Sequence, residues 1–256
     1  MTVNAVKLLQ VIDKLNLVPA RAGVRSSEMV CIVGTSKKMT MMLASEIKGV
    51  FTVPVTDGEA FTVYLDRSKL FGFLNLAKGS KDSAEFHCEV VLGDDKKISG
   101  LSFKLGRRKA IYTGSDVVSG YSKTLAGKDE KELKLDAAMV GLIGLASKYT
   151  TTDFTRPELN GVHLLKKQKL VVSSRIGAIN FAAEAQVAEA CPIPEEFAGM
   201  LSGAKQIMIS KQGCRLEFED GSLFRSYNDD QFSGKIASLA KLPPTFQAEP
   251  KILSAP

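Results

Sequence analysis

The sequence predicts an α+β chain made of two tandem copies of one domain, each with two helices packed on antiparallel sheets. Three observations predict it. Strand-like runs outnumber helix-like runs in both halves. Both halves read helix, strands, helix, strands, at an offset of about 130 residues, far longer than a solenoid repeat. Two helices per half are too few for the strand–helix alternation of a parallel βαβ fold. The 256 residues suffice for two ordinary domains, and 45% apolar against 24% charged residues supports a packed core.

The elements follow in order. From Asn4 to Val18, residues Ala5, Leu8, Leu9, Ile12 and Leu15 recur at helical spacing, with Lys7, Gln10 and Lys14 opposite. Strand-like runs come next at Met29–Val33, Met39–Ala44, Val50–Val55 and Ala60–Leu65, with a turn signal at Thr56, Asp57 and Gly58. Asp66 reads as the N-cap of a second helix whose Leu70, Phe73, Leu74 and Ala77 point inward. Glu85–Leu92, Ile98–Leu105 and Lys109–Thr113 complete the half. Gly114–Lys134 is rich in Gly, Ser, Lys and Glu without an apolar period, and reads as a linker.

The order then restarts. Leu135–Tyr149 is helical, with Met139, Leu142, Ile143 and Ala146 inward. Gly161–Leu165, Lys169–Ser173 and Ile176–Ala182 are strand-like. Pro194–Ser202 is a short helix opened by proline, with Phe197 and Leu201 inward. Lys205–Ser210, Arg215–Glu219 and Ser222–Tyr227 are strands, the last two joined by a hairpin turn at Glu219, Asp220 and Gly221.

Composition narrows the chemistry. Cys31, Cys88, Cys191 and Cys214 show no C-x-x-C spacing and read as buried reduced thiols. With only His87 and His163 beside them, a zinc site lacks ligands, and no cofactor is implied. No G-x-S-x-G, P-loop or H-E-x-x-H occurs, and adjacent His87 and Cys88 on one strand would face opposite ways, so the chain reads as a non-enzyme. No apolar run approaches a membrane span and no signal core opens the chain, which implies a soluble cytoplasmic protein (host cytoplasm if viral) with no membrane partner. Residues 1–128 carry 19 basic and 12 acidic side chains, and residues 129–256 carry 15 and 16. The basic half suits a polyanionic partner held loosely.

The run Thr155, Arg156, Pro157, Glu158, Leu159, Asn160, Gly161, Val162, His163 and Leu164 resembles the opening of a middle domain in bacterial DNA polymerase sliding clamps. In that family an amphipathic helix precedes Arg-Pro-x-Leu-x-Gly-Val-x-Leu and a strand follows, as Leu135–Tyr149 and Lys169–Ser173 do here. Phe218–Tyr227 resembles the hairpin that closes such a domain. Pro157 keeps Arg156 out of the helical region, and Gly161 permits close backbone approach at a strand start.

The resemblance implies two clamp-like domains, 1–114 and 132–256 with its C-terminal tail, joined by a connector at 115–131. It implies a ring of about six such domains around duplex DNA, hence a homotrimer for a chain of this length. A three-domain chain would dimerise, and Phe246–Pro256 stands where a third domain's first strand would start. Helix faces away from the cores would then carry the DNA cations: Lys7, Lys14, Arg21, Arg25, Lys69, Lys78, Lys81, Lys134, Lys148 and Lys205. DNA polymerase and clamp loader would bind through short peptide motifs. The bacterial pocket's stretch reads Ser173–Ala178 here and departs strongly. The trimeric mode would use the connector and tail, through Val117, Val118, Tyr121 and Leu125 with Pro250, Ile252 and Leu253. Subunits would meet at edge strands, Lys104–Thr113 against Gly161–Val172 or Ile176–Phe181. The alternative is a two-lobed protein that forms no ring, such as a single-stranded-DNA-binding or phage structural protein. The absence of Trp and the core-like placing of most Phe and Tyr argue against base stacking.

Overall fold

The structure is a computed structural model that describes residues 1–18, 28–76, 85–115, 118–150, 161–164, 170–174, 177–181 and 191–227. Its described elements follow one order four times: strand, helix, three strands. The first repeat is β1 (Thr2–Asn4), α1 (Ala5–Asn16), β2 (Met29–Gly34), β3 (Lys38–Ala44) and β4 (Ile47–Thr56). The second is β5 (Phe61–Asp66), α2 (Arg67–Leu76), β6 (Glu85–Leu92), β7 (Ile98–Leu105) and β8 (Arg108–Thr113). The third is β9 (Lys131–Glu132), α3 (Ala137–Ala146), β10 (Val162–Leu164), β11 (Leu170–Ser174) and β12 (Gly177–Phe181). The fourth is β13 (Cys191–Ile193), α4 (Glu195–Ala198), β14 (Gln206–Ile209), β15 (Gly213–Glu217) and β16 (Gly221–Ser226).

The fold is α+β with large antiparallel sheets and few helices, as the element counts imply. The chain forms two compact units. One joins Met1–Glu130 to Ala204–Ser226, and the other takes Lys131–Gly203 and the chain from Tyr227 onward. In the first unit a sheet runs β8-β7-β6-β1-β4-β16-β15-β14, and β3, β2 and β5 continue from β4 on its other edge. The first strand of each repeat pairs with the second strand of the other: β1 with β6, and β5 with β2. This exchange knits the two repeats into one body.

β4 is the junction strand. One of its edges meets β3; the other meets β16 over Ile47–Phe51 and β1 over Val55–Thr56. The N–H of Thr52 donates to Asp220 O (2.7 Å) and that of Val55 to Lys37 O (3.0 Å), so even-numbered residues aim their N–H toward β16 and β1. Pro54, which has no N–H, therefore sits in the gap between those two partners, where a donor would have no acceptor.

α1 packs beneath this junction. Ala5, Leu8, Val11, Ile12 and Leu15 are its buried face; Val11 replaces the expected Leu9, which is half-buried. Gly49 lets Leu15 approach: a Cβ there would stand 3.0 Å from Leu15 Cδ2 and 3.1 Å from Leu223 Cδ2. Phe51 is fully buried, with the Phe218 ring 5.9 Å away. Phe51→Ala empties the place where α1, β4 and the β15–β16 hairpin meet. It is expected to cost about 3–5 kcal/mol in urea unfolding, against under about 1.5 kcal/mol for a volume-conserving apolar exchange there.

α2 buries Arg67, Leu70, Phe71 and Leu74, an i, i+3, i+4, i+7 line. Phe73, expected inward, lies off that line and packs edge-on against Tyr112 with centroids 6.4 Å apart. Ala77, the other residue expected inward there, lies outside the described residues.

The second unit holds the four-stranded sheet β12-β11-β10-β13. Asp136 caps α3 by accepting from Met139 N at 2.7 Å, and Met139, Ile143 and Ala146 are buried while Leu142 is half-buried. Gly161 has φ +106°, and a Cβ there would lie 2.5 Å from Ile193 O, so the backbone approach read from the sequence occurs at this strand start. Phe197 and Leu201 are buried, as their spacing implies, and the Tyr227 hydroxyl donates to Pro192 O. The strands β1, β9 and β13 carry no strand-length sequence signal; each has only two or three residues.

Candidate nucleic-acid interface

The two helices of the first unit begin alike. Asn4 Oδ1 accepts from Lys7 N (3.1 Å) at the start of α1, and Asp66 Oδ1 accepts from Lys69 N (3.0 Å) at the start of α2. Lys7 and Lys69 thus hold the same place in the two repeats, the third residue of a capped helix, and both are exposed. Neither helix has an acid in its first turn. A cation there works against the helix dipole by a few tenths of a kcal/mol or more. The same local arrangement concentrates positive potential at two exposed helix starts. Burial alone would raise the Asp66 carboxyl, but the Lys69 N–H, the Ser68 hydroxyl and the Lys69 ammonium outweigh it and hold it below its ordinary value. Lys69 Nζ stands 4.0 Å from Asp66 Oδ2 with its side chain largely in solvent.

The other sequence candidates are placed differently. Lys14 Nζ bonds Asp220 Oδ1 at 2.5 Å and lies 4.9 and 5.5 Å from the Phe218 and Phe51 ring centroids. Its charge fastens α1 to the β15–β16 turn. Lys134 is exposed ahead of α3, Lys148 is exposed in the 3₁₀ turn Ser147–Tyr149, and Lys205 is exposed at the entry to β14. α3 itself carries no charged residue, and α4 opens on Glu195 and Glu196. Arg21, Arg25, Lys78 and Lys81 lie outside the described residues.

Sequence reasoning passed over Arg67. It is buried, and its Nη2 donates to Leu15 O (2.8 Å) and to Val18 O at the end of α1. The guanidinium lies 5.4 Å from the Phe71 ring centroid. Burial pulls its pKa down, and the helix C-terminus is a favourable place for its charge. Arg67 ties the first residue of α2 to the last turn of α1, so the two helices are held as a pair. A basic residue just after an N-cap, on the inward i, i+3, i+4 line, was the available signal.

The connector is strapped to the first unit. Tyr121 OH donates to Met29 O at 3.0 Å, with its ring 5.6 Å from that of Tyr64. Leu125 is buried, and Val118 is half-buried. Gly127 N donates to Glu130 Oε1 (2.7 Å), and Glu130 receives Arg215 Nε and Nη2 at 3.0 and 2.5 Å. Val117, Pro250, Ile252, Leu253 and the stretch Thr155–Asn160 lie outside the described residues.

Among the described residues no group of three or more His, Cys, Asp or Glu is placed to hold a metal, and no helix is long and apolar enough to cross a membrane. His87 is exposed and Cys88 buried on alternate faces of β6, and burial pushes the Cys88 thiol up to about 12. The pair cannot act as a dyad.

No protein-family model and no curated protein matches the chain. Solved structures do, and they define the class: the fold is that of the bacterial DNA polymerase sliding clamps. The clamp of Caulobacter crescentus aligns at TM-score 0.65 and 14% identity, over 88% of this chain and 64% of its own. That of Bacillus subtilis aligns at 0.66 and 14%, over 89% and 64%. The Helicobacter pylori beta clamp, solved with a DNA ligase peptide, aligns at 0.66 and 11%, over 90% and 66%. The chain therefore spans about two thirds of the length of the clamps it resembles, at identities that speak for the fold alone.

Proposed function

We propose that the chain is a non-enzymatic sliding clamp, which encircles duplex DNA and tethers a replicative polymerase for processive synthesis. Its clamp domains are 1–114 and 132–256, linked by 115–131, and each contains two of the four strand–helix–three-strand repeats. The observation that carries this reading is the clamp fold combined with Lys7 and Lys69 at matched, exposed helix starts. Such a surface attracts phosphates without reading bases, which sliding requires. Polymerase and loader bind by short peptides at the connector and tail.

Three copies make the ring. β4 and β16, each the last strand of a repeat, already pair within the chain. β8 and β12 are the other two last strands. Among the described residues, β8 pairs only with β7 and β12 only with β11. β8 of one copy joined to β12 of the next gives a head-to-tail contact, and such contacts close into rings.

Rings threaded over free ends of linear duplex and then trapped by bulky end-blocks are expected to survive a wash in about 0.5 M salt, and to leave when a cut exposes an end. Diffuse binders would wash off both. Lys7→Glu with Lys69→Glu is expected to weaken initial DNA binding by about tenfold or more and to flatten the log–log salt slope by about 2. Unchanged binding would remove these helix starts from the DNA surface.

A further inference from the structure

The connector covers the face of the first unit's sheet that turns away from α1. Tyr64, Cys31, Met42 and Val50 stand side by side across β5, β2, β3 and β4. Gly49, next to Val50, approaches Leu15 of α1, so strand alternation places the row on the opposite face. Yet Cys31 is 2% and Met42 4% exposed. The Tyr121 ring lies against that of Tyr64, and its hydroxyl donates to Met29 O, two residues along β2 from Cys31. Gly120 has φ +100°, and a Cβ there would touch Ala44 Cβ at 3.9 Å, two residues along β3 from Met42. Burial pushes the Cys31 thiol up, and the Tyr64 hydroxyl and the Lys123 ammonium only partly offset it.

Side chains do the fastening. From Val118 to Glu130 the connector forms no helix or strand among the described residues. Tyr121 and the buried Leu125 anchor its middle, while Ser122, Lys123 and Thr124 between them are exposed. Its far end is held by Gln212 Oε1, which accepts from Lys128 N at 3.2 Å, and by Arg215 on Glu130. A segment held in this way opens at a lower free energy than the ladders beneath it. Those ladders keep their own bonds when it lifts. β2 pairs with β5 over six residues and β4 with β16 over five, and Arg225 Nη1 donates to Glu46 Oε2 at 2.6 Å where β16 ends.

We propose that the connector is a self-latched strap: the chain's own sheet holds Tyr121 and Leu125, and a partner peptide engages them only after Tyr121 releases Met29 and the middle of the connector lifts off Cys31. This rests on the peptide-docking reading above and adds its regulation, an autoinhibitory contact. Only the lifted fraction binds, so the latch weakens the apparent affinity for a partner by that fraction, and whatever loosens the latch tightens binding. The sequence expectation that Tyr121 and Leu125 face a partner and the structure that turns them inward then describe two states of one segment.

The test uses Cys31 as a probe in the full chain. N-ethylmaleimide is added in dilute urea, and each cysteine's labelling rate is read by peptide mass mapping. Cys88 is 1% exposed on the core face of β6 and serves as the reporter of global unfolding. Cys31 is expected to label at a rate nearly independent of urea, as local opening requires, while Cys88 labelling rises steeply with urea. Tyr121→Phe keeps the ring and loses the bond to Met29, and is expected to speed Cys31 labelling about fivefold with the Cys88 rate unchanged. Tyr121→Ala should speed it by more than about tenfold. A Cys31 rate that climbs with urea as the Cys88 rate does, or that ignores Tyr121→Phe in a folded chain, would overturn the latch. These rates involve no partner, so they judge the latch apart from the docking reading. If both variants open the latch as stated and leave polymerase tethering on primed circular DNA unchanged, the docking reading and the regulatory role fall while the latch stands.

Discussion

Ile111→Pro is expected to leave each chain folded and to reduce a three-chain assembly to single chains. The reason is hydrogen-bond parity. Gly114 N donates to Ser99 O at 2.6 Å, and β7 and β8 pair in register from Gly100 with Thr113 to Leu105 with Arg108. Alternation then turns the N–H groups of Tyr112, Ala110 and Arg108 toward β7, and those of Thr113, Ile111 and Lys109 outward. Proline at 111 deletes an outward donor and leaves the β7 ladder whole, as Pro54 does on β4. Stability of the single chain should fall by less than about 1 kcal/mol, since the lost side chain is mostly in water. Tyr112→Pro is the contrast: it strips a donor from the ladder itself and should cost about 1–3 kcal/mol with or without assembly. Light-scattering mass beside urea midpoints separates the two. If Ile111→Pro keeps the wild-type mass, β8 is not the contact.

Arg215→Met is expected to destabilise the first unit by about 3–5 kcal/mol, because it leaves Glu130 buried without its counter-charge. The Arg215 and Glu130 side chains are 10% and 8% exposed, and Arg215 also reaches Glu217 Oε1 at 2.6 Å. The hydrogen bonds that Arg215 donates to Glu130 raise its pKa still further against its burial, so it stays charged at every working pH. Burial alone would raise the Glu130 carboxyl; the Arg215 hydrogen bonds, the Gly127 N–H and the Arg215 charge outweigh it, and the net direction is down.

The sign of the pH effect follows. A carboxyl with a lowered folded pKa contributes its full stabilisation above its unfolded value, near 4.5, and loses it as pH falls through the lower folded value. The stability difference between wild type and Glu130→Gln should therefore be flat from pH 7 to about 5 and shrink below that. A difference that grows on acidification would assign the wrong direction. Because Glu130 lies near the end of the connector and Arg215 lies on β15, the same variants should loosen 118–130, visible as faster amide exchange there.

Much of the fold was legible in the sequence. β6 and β7 begin and end where their alternating apolar residues do, Asp66 caps α2, and Glu219 and Asp220 turn the last hairpin. These features are local: side-chain period, cap chemistry and turn chemistry act within a few residues. The misplacements are local too. Leu9 against Val11 and Phe73 against Phe71 differ by two residues, and either choice completes an apolar stripe with the rest of its helix, so the neighbouring sheet decides which side chain is buried. Of the candidate cations, exposure and position in an amphipathic helix could be anticipated for Lys7 and Lys69. The pairing of Lys14 with Asp220, 206 residues away, could not.

The sequence by itself determined the α+β class, the repeated order of elements and most strand and helix bounds, since each depends on residues close along the chain. Only the tertiary structure decided which edges meet: β1 with β6, β5 with β2, and β16 beside β4 while β8 keeps an open start. A strand edge offers the same N–H and C=O groups to any partner. The choice among partners therefore rests on distant residues such as Arg67, Leu223 and the Arg225–Glu46 pair, which come together only when the chain has folded.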